Sequence, residues 1–112
     1  IVSIRPKTGQ IVAMASTRYF RNDQFDLASQ GRRQPGSTFK TITLATAIEQ
    51  GIDPSATTYM SAPFTWQPDP TSPTWDVSTA GGDYAGPITL ENATLASDNT
   101  VYAQLAIDVG PA

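Results

Sequence analysis

Thr38 to Gln50 is the longest helix-like stretch of the chain, and boundary signals enclose it at both ends. Pro35 and Gly36 precede it, a helix-start pattern, and Gly51 closes it as a C-terminal stop. Phe39, Ile42, Leu44, Ala45, Ala47 and Ile48 spread apolar side chains round most of the helix, which predicts a buried helix with Phe39 in the core. Its four threonines and two isoleucines are mediocre helix formers. Packing rather than propensity must therefore hold it. Lys40, one of only two lysines in the chain, lies at its start and is expected to be partly desolvated.

Ser37 and Lys40 form a Ser-x-x-Lys tetrad at the head of this helix. Serine holds its proton tightly at neutral pH and needs a base beside it to act as a nucleophile. Residues three apart on a helix are neighbours, so the tetrad places an amine one turn from a hydroxyl. Desolvation lowers a lysine's pKa and lets it accept or relay that proton. Taken alone, the tetrad fits more commonly an N-cap serine beside a solvated lysine.

A second motif, Ser97-Asp98-Asn99, lies between a helical-looking run, Ile88 to Ala96, and a further one, Thr100 to Val109. It offers a hydroxyl and an amide on one short connection. Taken alone, it reads more simply as a helix junction, where these residue types are preferred caps. Asp98 fits a capping or surface position.

Elsewhere the chain reads as strand and loop. Ile1 to Arg5 and Gln10 to Ala15 read as two strands joined by the turn residues Pro6-Lys7-Thr8-Gly9, with Lys7 solvated. Asp53 to Pro87 is far longer than an ordinary loop and carries five prolines and Gly81-Gly82 before Pro87. It also holds Phe64, Trp66, Trp75 and Tyr84, and that many large rings usually pack. Short hairpins near a cleft are expected. Trp66 and Trp75 suit packing beneath this stretch better than lining a groove. Asp23, Asp26 and Asp76 suit loop caps rather than metal ligands. The 112 residues, 39% hydrophobic, suffice for one small core. A net charge of −3 with no basic cluster beyond Arg32-Arg33 gives no sign of nucleic-acid binding. With no histidine and no cysteine, these residues build no Ser-His-Asp triad, no cysteine nucleophile and no zinc site. No cofactor or metal is expected. The apolar runs fall short of a membrane span.

Three stretches together carry a family resemblance. They are Ile4 to Ala15, Phe25 to Lys40 with Arg32-Arg33-Gln34-Pro35-Gly36-Ser37 at its centre, and Gly86 to Ala106 with Ser97-Asp98-Asn99-Thr100. The chain resembles the transpeptidase domain of penicillin-binding proteins, most closely the bifunctional high-molecular-weight type, with the serine β-lactamases as wider relatives. The resemblance implies an α+β fold, a sheet sandwiched by helices, with residues 1–112 forming an incomplete domain: the opening hairpin, the Ser-x-x-Lys helix and the helical Ser-x-Asn segment. The family's Lys-Thr-Gly strand follows Ser-x-Asn, whereas Lys7-Thr8-Gly9 precedes it, so that strand is expected outside residues 1–112. A second chain completing the sheet is one expectation that follows.

For chemistry, the resemblance implies Ser37 as nucleophile toward peptidoglycan stem peptides ending D-Ala-D-Ala, through an acyl-enzyme that an amine of a neighbouring stem resolves. β-Lactams would acylate the same serine. Lys40 would accept or relay its proton, and Ser97 would pass a proton toward the leaving amine. Asn99 would orient Lys40 and bind a substrate amide. The Ser37 N–H would form half an oxyanion hole, the Lys-Thr-Gly strand the rest, so that this segment alone would be inefficient. Arg32, Arg33 and Gln34 have no implied catalytic role, and the arginines suit ion pairs or solvent. The implied location is the extracytoplasmic face of the bacterial membrane, anchored only through a segment absent from these residues. A class A β-lactamase, which shares both motifs, remains open. So do a β-lactam sensor domain and a non-catalytic binding fragment.

Overall fold

The computed structural model describes residues 1–16, 19, 21–22 and 24–110, so Asp23 lies outside the described residues. Helices and strands mix, as expected for an α+β chain, in two compact units, residues 1–34 and 35–112.

The first unit opens with an antiparallel hairpin. β1 (Val2–Ile4) pairs with β2 (Ile11–Met14), with Val2 opposite Met14. Lys7 and Gly9 both have φ of 70°, and the Arg5 N–H bonds the Gln10 carbonyl at 2.8 Å. The predicted turn is thus present, with Lys7 exposed at it. α1 (Leu27–Gln30) is a single short turn capped by Asp26, whose carboxylate accepts the Ala28 N–H at 3.0 Å. Arg32 and Arg33 are exposed.

The second unit holds a core of Ala47, Leu90, Ala93, Val101, Tyr102 and Leu105. A 3-10 turn, Gly36–Phe39, leads directly into α2 (Lys40–Glu49). α2 ends as the sequence predicts. Gly51 takes a φ of 89°, and the Ile52 N–H reaches back to the Ala47 carbonyl at 2.9 Å. The expectation of all-round burial is corrected. Ala47 alone is fully buried on α2, while Phe39, Ile42 and Ile48 are more than half exposed. The helix packs chiefly on one neighbour, α4, and so buries one stripe. Lys40, Leu44 and Ala47 share that stripe at the spacing of successive turns. Lys40 is therefore drawn toward the core by its place on the helix.

The long stretch after α2 is ordered into strand pairs. β3 (Thr58–Ser61) pairs antiparallel with β6 (Gly86–Thr89), placing Ser61 opposite Gly86. Between them β4 (Phe64–Trp66) and β5 (Trp75–Val77) form a separate hairpin. Trp66 and Trp75 meet edge to face across it, ring centroids 6.5 Å apart. They are 37% and 47% exposed, so they pack on each other rather than beneath the stretch. Asp76 lies in β5 and accepts the Thr65 hydroxyl at 2.6 Å, a cross-strand partner and not a loop cap.

The run from Ile88 is also corrected. Gly86–Thr89 is strand, and only Leu90–Leu95 forms α3, started by the Thr89 hydroxyl accepting the Asn92 N–H. Pairing with β3 takes the first residues of the run, and Thr89 sets the boundary. α4 (Asn99–Val109) follows and buries Thr100, Val101, Tyr102, Ala103 and Leu105. Fully burying side chains such as Leu105 and Val101 contributes roughly 1.5–3 kcal/mol each. Among the described residues, no helix is long and apolar enough to cross a membrane.

Candidate active site

The turn between α3 and α4 is built from two overlapping helix ends. The Asp98 N–H bonds the Ala93 carbonyl at 2.9 Å and the Ser97 N–H bonds that of Thr94 at 3.0 Å. These are the two bonds of a Schellman ending, and Ser97 sits where glycine is the usual residue. Its φ is 53°, a left-handed conformation that costs a non-glycine residue on the order of 1 kcal/mol. Asp98 then starts α4: its Oδ1 accepts the N–H groups of Thr100 at 2.8 Å and Val101 at 3.1 Å, and the Thr100 hydroxyl at 2.7 Å.

Asp98 is thus a cap, as the sequence suggests, but it is buried rather than a surface group. Its other oxygen accepts the Ser61 hydroxyl at 2.5 Å, and Ser61 in turn accepts the Ala85 N–H at 3.0 Å. Burial pushes the Asp98 pKa up, but the hydrogen bonds of Ser61, Thr100 and Val101 outweigh it and hold the carboxyl below its ordinary value. Ser61 has no sequence motif to mark it. Ser61→Ala is expected to destabilise the fold by about 1–3 kcal/mol, because a carboxylate oxygen and a backbone N–H both lose their partner. Denaturant unfolding checks this, and an unchanged midpoint counts against it.

With the turn so held, four side chains from distant positions converge. The Lys40 ammonium donates to the Ser97 carbonyl at 2.5 Å, the Ser97 Oγ at 3.2 Å and the Asn99 Oδ1 at 2.7 Å. The Ser97 hydroxyl donates to the Ser37 Oγ at 3.0 Å. Ser97 therefore bridges the amine and the serine of the tetrad. Asn99 is gripped from both sides, since its Nδ2 donates to the Ser78 carbonyl at 3.2 Å. The ammonium form of lysine only donates, so the Asn99 carbonyl oxygen faces it. The Tyr102 ring lies beside the same ammonium, 5.3 Å from centroid to Nζ.

The three acceptors around Lys40 are neutral oxygens. Burial lowers its pKa below that of a free lysine, and the negative charge of Asp98 offsets this only in part. The expected partial desolvation of Lys40 is present. Ser37 is exposed on the 3-10 turn, after Gly36 with a φ of 55°. Its N–H belongs to the first donors of the turn, which find no acceptor within a helix.

Ser37, Ser97 and Asn99 border a cleft of about 510 Å³. Thr79 to Gly81 and Asp83 to Ala85 also line it. Gly81-Gly82 marked this stretch as a turn in the sequence, without indicating what it faces. Trp66 and Trp75 do not line the cleft. Tyr102 was legible only as a neighbour of Asn99 three positions on, hence on the same helix face.

The family model of the penicillin-binding protein transpeptidase domain matches residues 1–112. Penicillin-binding protein 1A of Neisseria lactamica is 34% identical over 111 residues, 98% of this chain and 14% of that protein. The protein of the same name from Neisseria gonorrhoeae shows the same identity and coverage. That of Rickettsia bellii is 32% identical over 110 residues, again 98% of this chain and 14% of the relative. The chain belongs to the penicillin-binding protein transpeptidase domain family. It spans about 14% of the length of these relatives.

Proposed function

We propose that residues 1–112 are part of a transpeptidase domain that cross-links peptidoglycan through an acyl-enzyme on Ser37, and that β-lactams acylate the same residue. The observation that carries this reading is the hydrogen-bonded chain Lys40–Ser97–Ser37, built from the two motifs on which the family resemblance rests. The Ser37 Oγ attacks the carbonyl carbon of the penultimate D-alanine. The bond to the terminal D-alanine nitrogen breaks, and the acyl group stays on Ser37. An amine of a second stem peptide then takes that acyl group and frees the serine.

The hydrogen bonds favour a shuttle through Ser97. As they stand, Lys40 donates to Ser97 and Ser97 to Ser37, the direction that delivers a proton from the amine side. Reversing both hydroxyl bonds turns the same atoms into a path for the Ser37 proton toward a neutral Lys40. A lysine surrounded by neutral oxygens, its pKa lowered by burial, suits that exchange better than one paired to a carboxylate. Asn99 holds Lys40 through Oδ1 and has one amide hydrogen beyond its Ser78 bond for a substrate carbonyl. The Ser37 N–H serves as one oxyanion donor. The second is assigned to a Lys-Thr-Gly strand, a motif absent from the sequence after Asn99. This reading places the site on the extracytoplasmic face of the membrane, where its substrate lies.

Intact mass after incubation with benzylpenicillin, followed by peptide mapping, tests the proposal on the intact protein. The expected result is one stable adduct on the peptide containing Ser37. Hydrolysed drug with no adduct points to a β-lactamase, and an adduct elsewhere rejects Ser37 as nucleophile.

A further inference from the structure

The Lys40 ammonium spends its three N–H donors on Ser97 and Asn99, yet a fourth group faces it. The Tyr102 ring lies 5.3 Å from Nζ, within the range at which a ring face attracts a cation. The ring belongs to the core, with 5% of its surface exposed. Its hydroxyl is 2.7 Å from the Thr94 Oγ1, and Thr94 already donates its single proton to the Leu90 carbonyl at 2.7 Å. The phenol must therefore be the donor to Thr94. That bond ties the far end of the ring to α3, while the helix α4 carries its near end. The ring has little freedom to turn its face away from Lys40.

We propose that Tyr102 is a positioning residue for Lys40, its clamped ring face holding the ammonium in register with Ser97 and Asn99. This rests on the reading of Lys40 as the proton carrier for Ser37. The ring attracts the charged lysine and has no comparable attraction for the neutral one. It thus opposes the effect of burial, and it does so without a carboxylate contact that would lock the proton in place. The groups facing Lys40 are Ser37 of the 3-10 turn, Ser97 and Asp98 of the α3–α4 turn, and Asn99 and Tyr102 of α4. Among the described residues Asp98 is the charge acting on it.

The test varies the ring's electrostatics at nearly constant shape. Tyr102→Phe serves as the baseline, and fluorinated phenylalanines up to the pentafluoro form are then placed at the same position in the intact protein. NMR of 15N,13C-labelled lysine follows the titration of Lys40, whose resonance is the one lost in Lys40→Arg. Progressive fluorination is expected to lower the Lys40 pKa stepwise, by about 0.5–1.5 units in all. The acid limb of acylation by a fluorescent penicillin is expected to move to lower pH in parallel. A Lys40 titration that stays constant across folded variants overturns the proposal. The NMR readout needs no activity, so it judges Tyr102 even if Ser37 proves not to be acylated.

Discussion

Lys40→Met is expected to slow acylation of Ser37 by about 100- to 10,000-fold, the usual contribution of a positioned acid–base group. The fold is expected to survive, because Lys40 lies at the start of α2 and its acceptors are close enough to the surface for water to replace it. Lys40→Arg is expected to be as slow. Arginine keeps the charge but does not release its proton near neutral pH, whereas the half-buried lysine does so more readily than a free one. The pH profile separates the roles. Acylation by the unmodified protein should rise with pH as the neutral amine accumulates, and level off above the lowered pKa of Lys40. Both variants should lack that limb. Stopped-flow acylation with a fluorescent penicillin, with circular dichroism as a check on folding, reads the effect. Rates within about threefold of the unmodified protein would show that the proton leaves Ser37 by another route.

Ser97→Gly is expected to separate stability from chemistry. Serine at this position holds a φ of 53° that glycine adopts without strain. The variant should therefore unfold at the same temperature or higher, with a gain of up to about 1 kcal/mol. Its acylation should fall on the order of 100-fold or more, because the hydroxyl between Lys40 and Ser37 is gone. A residue kept in a conformation that suits glycine, at the centre of a hydrogen-bonded cluster, is the pattern expected where strain serves function. Thermal unfolding and acylation rates measured on one preparation decide the matter. A markedly lower unfolding temperature with normal acylation would make Ser97 a structural cap and nothing more.

The helix from Lys40 to Glu49 was legible because Pro35, Gly36 and Gly51 act within a few residues of chain. The hairpin turn at residues 6–9 was legible for the same reason. Burial was not. Phe39, Ile42 and Ile48 are as apolar as Leu44, but only the stripe containing Leu44 and Ala47 meets the core. Residue type states a tendency to be covered, and a neighbouring element must do the covering. The Ile88 to Ala96 run failed similarly. Its first residues pair with Thr58–Ser61, a partner far away in sequence whose backbone bonds override local helical pattern.

The candidate site divides along the same line. Ser37, Lys40, Ser97 and Asn99 were nameable from two short motifs through the family resemblance, since each motif alone also reads as a helix cap. That they meet was implied only by the family resemblance and not by local pattern, since the Lys40–Asn99 and Ser97–Ser37 bonds span most of the second unit. Asp98 shows the gap most plainly. Its capping role needs only the next three residues, while its burial and its bond to Ser61 depend on where β3 ends. Nothing local indicates that the Tyr102 ring faces Lys40, that the Ser78 carbonyl holds Asn99, or that Thr79 to Gly81 and Asp83 to Ala85 line the cleft. Short-range forces along the backbone write helix ends and turns into the chain directly. Contacts across long sequence separations are decided only when packing brings the elements together, and the environment of Lys40 is made of such contacts.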